Sequence, residues 1–137
     1  MANILEQLSS MSVIVADTGD VAMVEKFKPQ DCTTNPSLVL AALRSDSSQS
    51  LIEEEIAKAK ADSLSVEALC DKLTVALGAQ LSTVVPGRVS TEVDACLSFD
   101  RDKSIRKAHG IIEEYAKRGV STDRVLIKLA STWEGIR

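Results

Sequence analysis

Residues 125–137 read VLIKLASTWEGIR and combine a strand pattern with a helix start. Residues 125–130 are almost continuously apolar, which is typical of a strand in a parallel sheet that is covered on both faces. Lys128 is the exception, because an ionisable side chain there is costly unless a partner compensates it. Ser131 and Glu134 have capping-box spacing, so we expect Ser131 to cap a helix. These residues predict a strand, a lysine near its carboxyl end, and a helix.

Similar strand-to-helix units precede this one along the chain. We expect strands at residues 13–16, 32–34 and 89–93 from their apolar or β-branched composition. Helix signals separate them: Asp20 can cap a helix that ends at Lys28, and Asn35 followed by Pro36 predicts another helix start. A helix over residues 102–118 should end at Gly119 in the left-handed conformation. Further helices are expected over residues 4–11, 37–44, 51–61 and 66–81.

Alternating strands and helices predict an α/β protein with a parallel sheet. Four such units suit the first half of a TIM-type (β/α) barrel, which usually contains about 250 residues. With 137 residues, we expect a single partial barrel domain over residues 1–137 that stops within a unit. A small doubly wound sheet is the alternative, although no glycine-rich phosphate loop connects a strand to a helix.

Composition excludes several functional classes. The net charge is −4 and basic residues are scattered among acidic ones, so we expect no nucleic-acid binding. No secretory leader or membrane-length apolar run is present in the sequence, which favours a cytoplasmic protein without membrane contact. The three cysteines have no metal-ligand spacing, and we interpret them as reduced structural thiols.

Three ionisable residues lie at or near the carboxyl ends of predicted strands, where barrel enzymes place their chemistry: Asp17, Glu92 and Lys128. Period-two alternation places Lys128 on one face with Leu126, and Asp17 on one face with Val15. If these faces point into a barrel, the three side chains converge and burial favours a neutral amine that can attack a ketone. Alternatively, Lys128 forms a buried ion pair with Asp17 or Glu92, or it points outward.

Other polar residues have structural explanations. The helix cap accounts for Asn35, and the expected mid-helix position of His109 predicts a surface or packing residue. The glutamates at 53–55 are interpreted as a solvated helix face.

Four segments resemble the transaldolase family in order along the chain: VADTGD (15–20), CTTNPSL (32–38), PGRVSTEVDACLS (86–98) and LIKLASTWEGIR (126–137). The resemblance implies a barrel enzyme of the pentose phosphate pathway that moves a dihydroxyacetone unit between sugar phosphates without a cofactor or metal. Lys128 would form the Schiff base with the ketose. Asp17 would take the proton of the donor's C4 hydroxyl, and Glu92 would shuttle protons through a water molecule.

The resemblance also implies that Asn35 holds hydroxyl groups of the dihydroxyacetone unit, while Thr33 and Ser90 line the site. Cys96 departs from the family, which usually has arginine in this motif. The arginine and serine expected at the phosphate, and a threonine that positions water, belong to family segments beyond the fourth strand, so we expect little turnover. Alternatives are another imine-forming aldolase, or a non-catalytic half-barrel that forms a homodimer or associates with a full-length relative.

Overall fold

The computed structural model describes residues 3–137, which contain one four-stranded parallel sheet and its flanking helices. The strands are β1 (Val15–Asp17), β2 (Asp31–Thr33), β3 (Val89–Glu92) and β4 (Val125–Lys128). The helices are α1 (Ile4–Ser9), α2 (Val21–Phe27), α3 (Pro36–Leu43), α4 (Gln49–Ala61), α5 (Val66–Val84), α6 (Arg101–Lys117) and α7 (Trp133–Ile136).

The strand order is β1-β2-β3-β4, and every neighbouring pair is parallel. Sequential order is the arrangement of a (β/α) barrel, whereas a doubly wound sheet reverses its strand order at a switch point. The prediction of a partial TIM-type barrel is therefore confirmed, and the doubly wound alternative is wrong.

The sheet has two faces of different character. The helices bury the outer face, on which Cys32, Val89 and Val125 lie in register. We call the opposite side the inner face, which consists of Val15, Asp17, Asp31, Thr33, Ser90, Glu92, Leu126 and Lys128. On it Val15 and Leu126 are 46% and 45% exposed. The predicted period-two alternation is confirmed, and the inner face is open to solvent.

Local capping signals are confirmed at three helix ends. Asp20 accepts a hydrogen bond from the N–H of Met23 at the start of α2, and Asn35 accepts one from Leu38 at the start of α3. Gly119 has φ of 77° after α6. These ends depend on neighbouring residues alone, so the sequence predicts them well.

The first strand begins at Val15, two residues later than predicted. Val15 pairs with Asp31, so Val13 would lie opposite Pro29. Proline has no N–H to donate, which ends the ladder there.

The cap of the last helix is Thr132, so the prediction of Ser131 is wrong. The Thr132 hydroxyl accepts from the N–H of Gly135 and donates to the carbonyl of Ser98. The second bond joins the segments that follow β3 and β4. This long-range contact favours Thr132, and no local pattern contains it.

The interpretation of the glutamates in α4 is wrong for Glu55. Its side chain is buried, and its two oxygens accept hydrogen bonds from the guanidinium of Arg118 at 2.9 and 2.8 Å. Glu53 and Glu54 are exposed as expected. Arg118 lies at the end of α6, so the ion pair connects α4 and α6, which both pack against α5.

Candidate active site at the carboxyl ends of the strands

The candidate residues form two rows at the carboxyl ends of the strands. Asp17, Thr33 and Ser90 are in register across β1, β2 and β3. Glu92 and Lys128 are in register across β3 and β4, one pleat further along. Parallel pairing alone brings these side chains to one rim, which agrees with their predicted location.

The Lys128 amine is held by two acceptors from two different strands. Nζ lies 3.0 Å from Glu92 Oε2 and 3.2 Å from the carbonyl oxygen of Thr34. Thr34 follows β2, so the lysine side chain extends across the end of β3. The amine therefore points along the rim and ends next to the peptide that leads into Asn35.

The expected desolvated lysine is not present in this structure. The Lys128 side chain is 41% exposed and that of Glu92 is 24% exposed. Among residues 3–137 no element covers the inner face above them, so both side chains remain in contact with solvent. Lys128 and Glu92 thus form a solvent-exposed ion pair at the rim. This also agrees with the simpler interpretation of Lys128 as one member of an ion pair.

Asp17 is at the rim but has a different partner. Its Oδ1 accepts a 2.7 Å hydrogen bond from Thr33 Oγ1. Strands β1 and β4 lie at opposite edges of the sheet, separated by three inter-strand spacings of about 4.8 Å each. The predicted convergence is therefore partial, since Glu92 contacts the Lys128 amine and Asp17 does not.

Asn35 can act both as a helix cap and as a ligand-binding group. Its Oδ1 accepts the N–H of Leu38 at 3.0 Å, while Nδ2 makes no hydrogen bond within the described part of the chain. Ser90 likewise directs its hydroxyl to none of the described residues, although its carbonyl accepts from the Thr34 hydroxyl. Both side chains keep groups that a bound molecule could use.

A cleft of 390 Å³ lies beside this rim, between α3 and α5. Asn35 and Glu92 line it, and so does Lys107, whose Nζ lies 2.5 Å from Asp71 Oδ2. Its walls are mainly apolar, and Lys128 and Asp17 do not line it. The sequence did not predict this cleft, because helices distant along the chain form it.

Two contacts at the rim could not be predicted from the sequence. The Thr34 carbonyl is a backbone group and has no side-chain signature, and the Thr33 contact depends on strand register. Thr33 and Thr34, the two adjacent threonines before Asn35, are the sequence feature that pointed to these contacts.

The cysteines and the histidine do not take part in the contacts described at the rim. All three cysteines are free, but only Cys32 is buried, so the structural-thiol interpretation fails for Cys70 and Cys96, which are exposed. Burial raises the pKa of the Cys32 thiol, whose Sγ donates to the Thr18 carbonyl at 3.2 Å. His109 is exposed, as predicted.

In the described chain no three His, Cys, Asp or Glu side chains form a metal site, and no helix could cross a bilayer.

A lysine near the carboxyl end of a parallel strand, next to a carboxylate on the neighbouring strand, is an arrangement typical of (β/α)-barrel enzymes, which place their chemistry at this end of the strands. Comparison with known proteins agrees with this class. The chain belongs to the transaldolase/fructose-6-phosphate aldolase family, whose sequence model matches residues 14–137.

Several relatives that the chain matches are transaldolases. The transaldolase of Allorhizobium ampelinum is 54% identical over 100% of this chain and 44% of its own length. That of Chromohalobacter salexigens is 53% identical over 97% of the chain and 43% of its own length. That of Nostoc punctiforme is 49% identical over 98% and 42%. The chain therefore spans less than half the length of these curated relatives.

Proposed function

We propose that this chain supplies the first four strand-and-helix units of a cytoplasmic transaldolase of the pentose phosphate pathway. The enzyme would transfer a dihydroxyacetone unit from sedoheptulose 7-phosphate or fructose 6-phosphate to glyceraldehyde 3-phosphate or erythrose 4-phosphate. The observation that carries the proposal is the 3.0 Å contact between Lys128 Nζ and Glu92 Oε2 at the ends of adjacent parallel strands. The family match gives this pair a chemical context.

Lys128 would be the nucleophile that forms the imine. Its amine must lose a proton before it attacks the ketose carbonyl, and Glu92 is the carboxylate in contact with it. The same carboxyl group can return a proton to the hydroxyl that leaves as water, either directly or through a bridging water. The resulting iminium withdraws electrons from the neighbouring carbon–carbon bond without a cofactor or metal.

The remaining rim residues would handle the sugar hydroxyls. Asp17 would take the proton of the C4 hydroxyl as the bond between C3 and C4 breaks. The Asn35 amide can donate through Nδ2 to a hydroxyl of the dihydroxyacetone unit, since its oxygen is used by the helix cap. Ser90 and Thr33 line the same row. The phosphate-binding residues that the resemblance implies are outside this sequence, so we expect low turnover from this chain alone.

Trapping of the imine tests the proposal. The protein is incubated with fructose 6-phosphate, reduced with borohydride, and digested for mass spectrometry. We expect a reduced adduct on the peptide that contains Lys128, and none in Lys128→Arg, which keeps the charge but forms no imine. Folded wild-type protein without an adduct would contradict the proposal. Transfer to erythrose 4-phosphate, compared with simple release of dihydroxyacetone, distinguishes a transaldolase from another imine-forming aldolase.

A second candidate is a non-catalytic half-barrel that forms a homodimer or binds a full-length relative. The exposure of Val15 and Leu126 on the inner face favours it, because buried apolar contacts stabilise association. Light scattering after size-exclusion chromatography and co-purification with a tagged full-length transaldolase test it. A complex without any Lys128 adduct would support this candidate over catalysis.

A further inference from the structure

We propose that Thr33 is a positioning residue for Asp17, and that its hydroxyl fixes one carboxylate oxygen so that the other faces the substrate. This inference rests on the proposed function, because it concerns the step in which the sugar is cleaved. In that step the bond between C3 and C4 breaks and its electron pair moves into the iminium to give an enamine. The C4 hydroxyl proton goes to Asp17, and the aldehyde leaves.

The contact between the two side chains is short and in register. Thr33 Oγ1 donates to Asp17 Oδ1 at 2.7 Å, and the two residues are Cα partners in the β1–β2 ladder. A hydroxyl bond to a carboxylate is about twice as strong as a bond between neutral groups. Threonine has one hydroxyl proton, and Asp17 uses it, so Thr33 has none left to donate to a sugar.

Few other contacts restrain the carboxylate. Asp17 is exposed at the end of an edge strand, and within residues 3–137 its carboxylate has no other hydrogen-bond partner. The free oxygen, Oδ2, is therefore the one that can accept the substrate proton. Loss of the Thr33 hydroxyl would leave the carboxylate free to rotate.

The preceding residue of β2 holds the same segment from the other face. Cys32 Sγ donates to the carbonyl of Thr18, the residue after Asp17. Successive residues of β2 thus fix the end of β1 through its side chain and through its backbone. Because Thr33 is β-branched, its χ1 is also stiff, which keeps the hydroxyl directed at Asp17.

Two adducts on Lys128 separate imine formation from cleavage. Borohydride reduction traps the intact hexose phosphate before cleavage and the dihydroxyacetone unit after it, and mass spectrometry resolves them. For Thr33→Val we expect total labelling close to wild type, with dihydroxyacetone adduct forming about 10- to 100-fold more slowly, the cost of a lost hydrogen bond to a charged group. Thr33→Ser should restore the rate. Thr83→Val, at an exposed threonine of α5, should match wild type.

The outcomes distinguish this inference from the proposed function. Absence of both adducts in the wild type would overturn the proposed function. Wild-type protein that yields only the hexose adduct, or a Thr33→Val variant that cleaves at the wild-type rate, would overturn the positioning role. Equal loss of both adducts in Thr33→Val would also overturn it, since that marks general damage to the site.

A spectroscopic measurement tests the contact independently of catalysis. The ¹³C resonance of the Asp17 carboxyl, assigned through Asp17→Asn, should move in Thr33→Val and return toward wild type in Thr33→Ser. An unchanged resonance in Thr33→Val would overturn the inference even if no imine forms.

Discussion

Glu92 is the side chain whose removal should affect imine formation most directly, because it contacts the Lys128 amine at 3.0 Å. Glu92→Gln keeps the size of the side chain and removes the base. We expect the rate of Lys128 labelling by fructose 6-phosphate and borohydride to fall by about 100-fold, a typical loss for a general base. A time course of trapping measures this rate.

Glu53→Gln is the matched control for that experiment. Glu53 is exposed on α4, and within the part of the chain that the structure describes its side chain accepts a hydrogen bond only from Gln49, so the same chemical change there should leave the labelling rate unaltered. Equal rates in Glu92→Gln and the wild type would show that another group, or water, removes the proton.

Tyr115 of α6 and Thr91 of β3 form a buried hydroxyl pair on the outer face of the sheet, which the helices cover. Neither side chain is exposed, their oxygens are 2.6 Å apart, and burial raises the pKa of the Tyr115 hydroxyl. We expect Tyr115→Phe to lower the free energy of unfolding by about 1–2 kcal/mol, because it leaves the Thr91 hydroxyl without this partner. Urea denaturation measures the loss. The double variant Thr91→Val/Tyr115→Phe should lose less stability than the sum of the losses in the two single variants, because neither hydroxyl is then left without its partner. A loss equal to that sum would contradict an interaction between the two hydroxyls.

At the scale of elements, the ion pair of Glu55 and Arg118 connects α4 to the end of α6. The hydrogen bond from Arg118 lowers the pKa of Glu55 below its usual range. Its stabilising contribution is therefore complete above the unfolded pKa of about 4.3 and is lost as the pH falls through the lower folded value. We expect Glu55→Gln to cost about 1.5–3 kcal/mol at pH 7, because Arg118 keeps its ion pair with Glu114 at 3.1 Å, and we expect a smaller difference from wild type in acid.

Urea denaturation at neutral and acidic pH measures this dependence, with Glu54→Gln as the control. Glu54 is 66% exposed and, among residues 3–137, pairs only with Lys58, so its loss should change stability by less than about 1 kcal/mol. A Glu55→Gln variant whose deficit stays constant with pH would contradict the assignment.

The elements also show which kind of information the sequence contains. Asp20, Asn35 and Gly119 were predicted correctly because a cap depends on residues within one helical turn. Glu55 was misread because its partner is 63 residues away. The rim also combines local and long-range information. Alternation within β4, a local pattern, places Lys128 on the inner face. Strand order and register, which are long-range, decide that Glu92 contacts Lys128 and that Asp17 does not.

At the scale of the whole molecule, the open inner face connects the association of chains with imine formation at Lys128. The apolar side chains of Val15 and Leu126 and the amine of Lys128 share this face, and all are substantially exposed. A second copy or a full-length relative that covered the face would bury apolar surface and remove water from the amine. Association should therefore raise the labelling rate per Lys128.

Val15→Lys tests this link, because it places a charge on the open inner face, at the strand that forms one edge of the sheet. We expect the wild-type average mass, from analytical ultracentrifugation, to rise with protein concentration, and the labelling rate per chain to rise with it. Val15→Lys should remain monomeric and label at the rate of dilute wild-type protein. Met23→Lys adds the same charge at an apolar residue of α2 that is 43% exposed, and should associate like the wild type. If Val15→Lys and the wild type have equal average masses at every concentration, the inner face is not the contact surface. Lys128 would then have to be shielded from water in another way before it could form an imine efficiently.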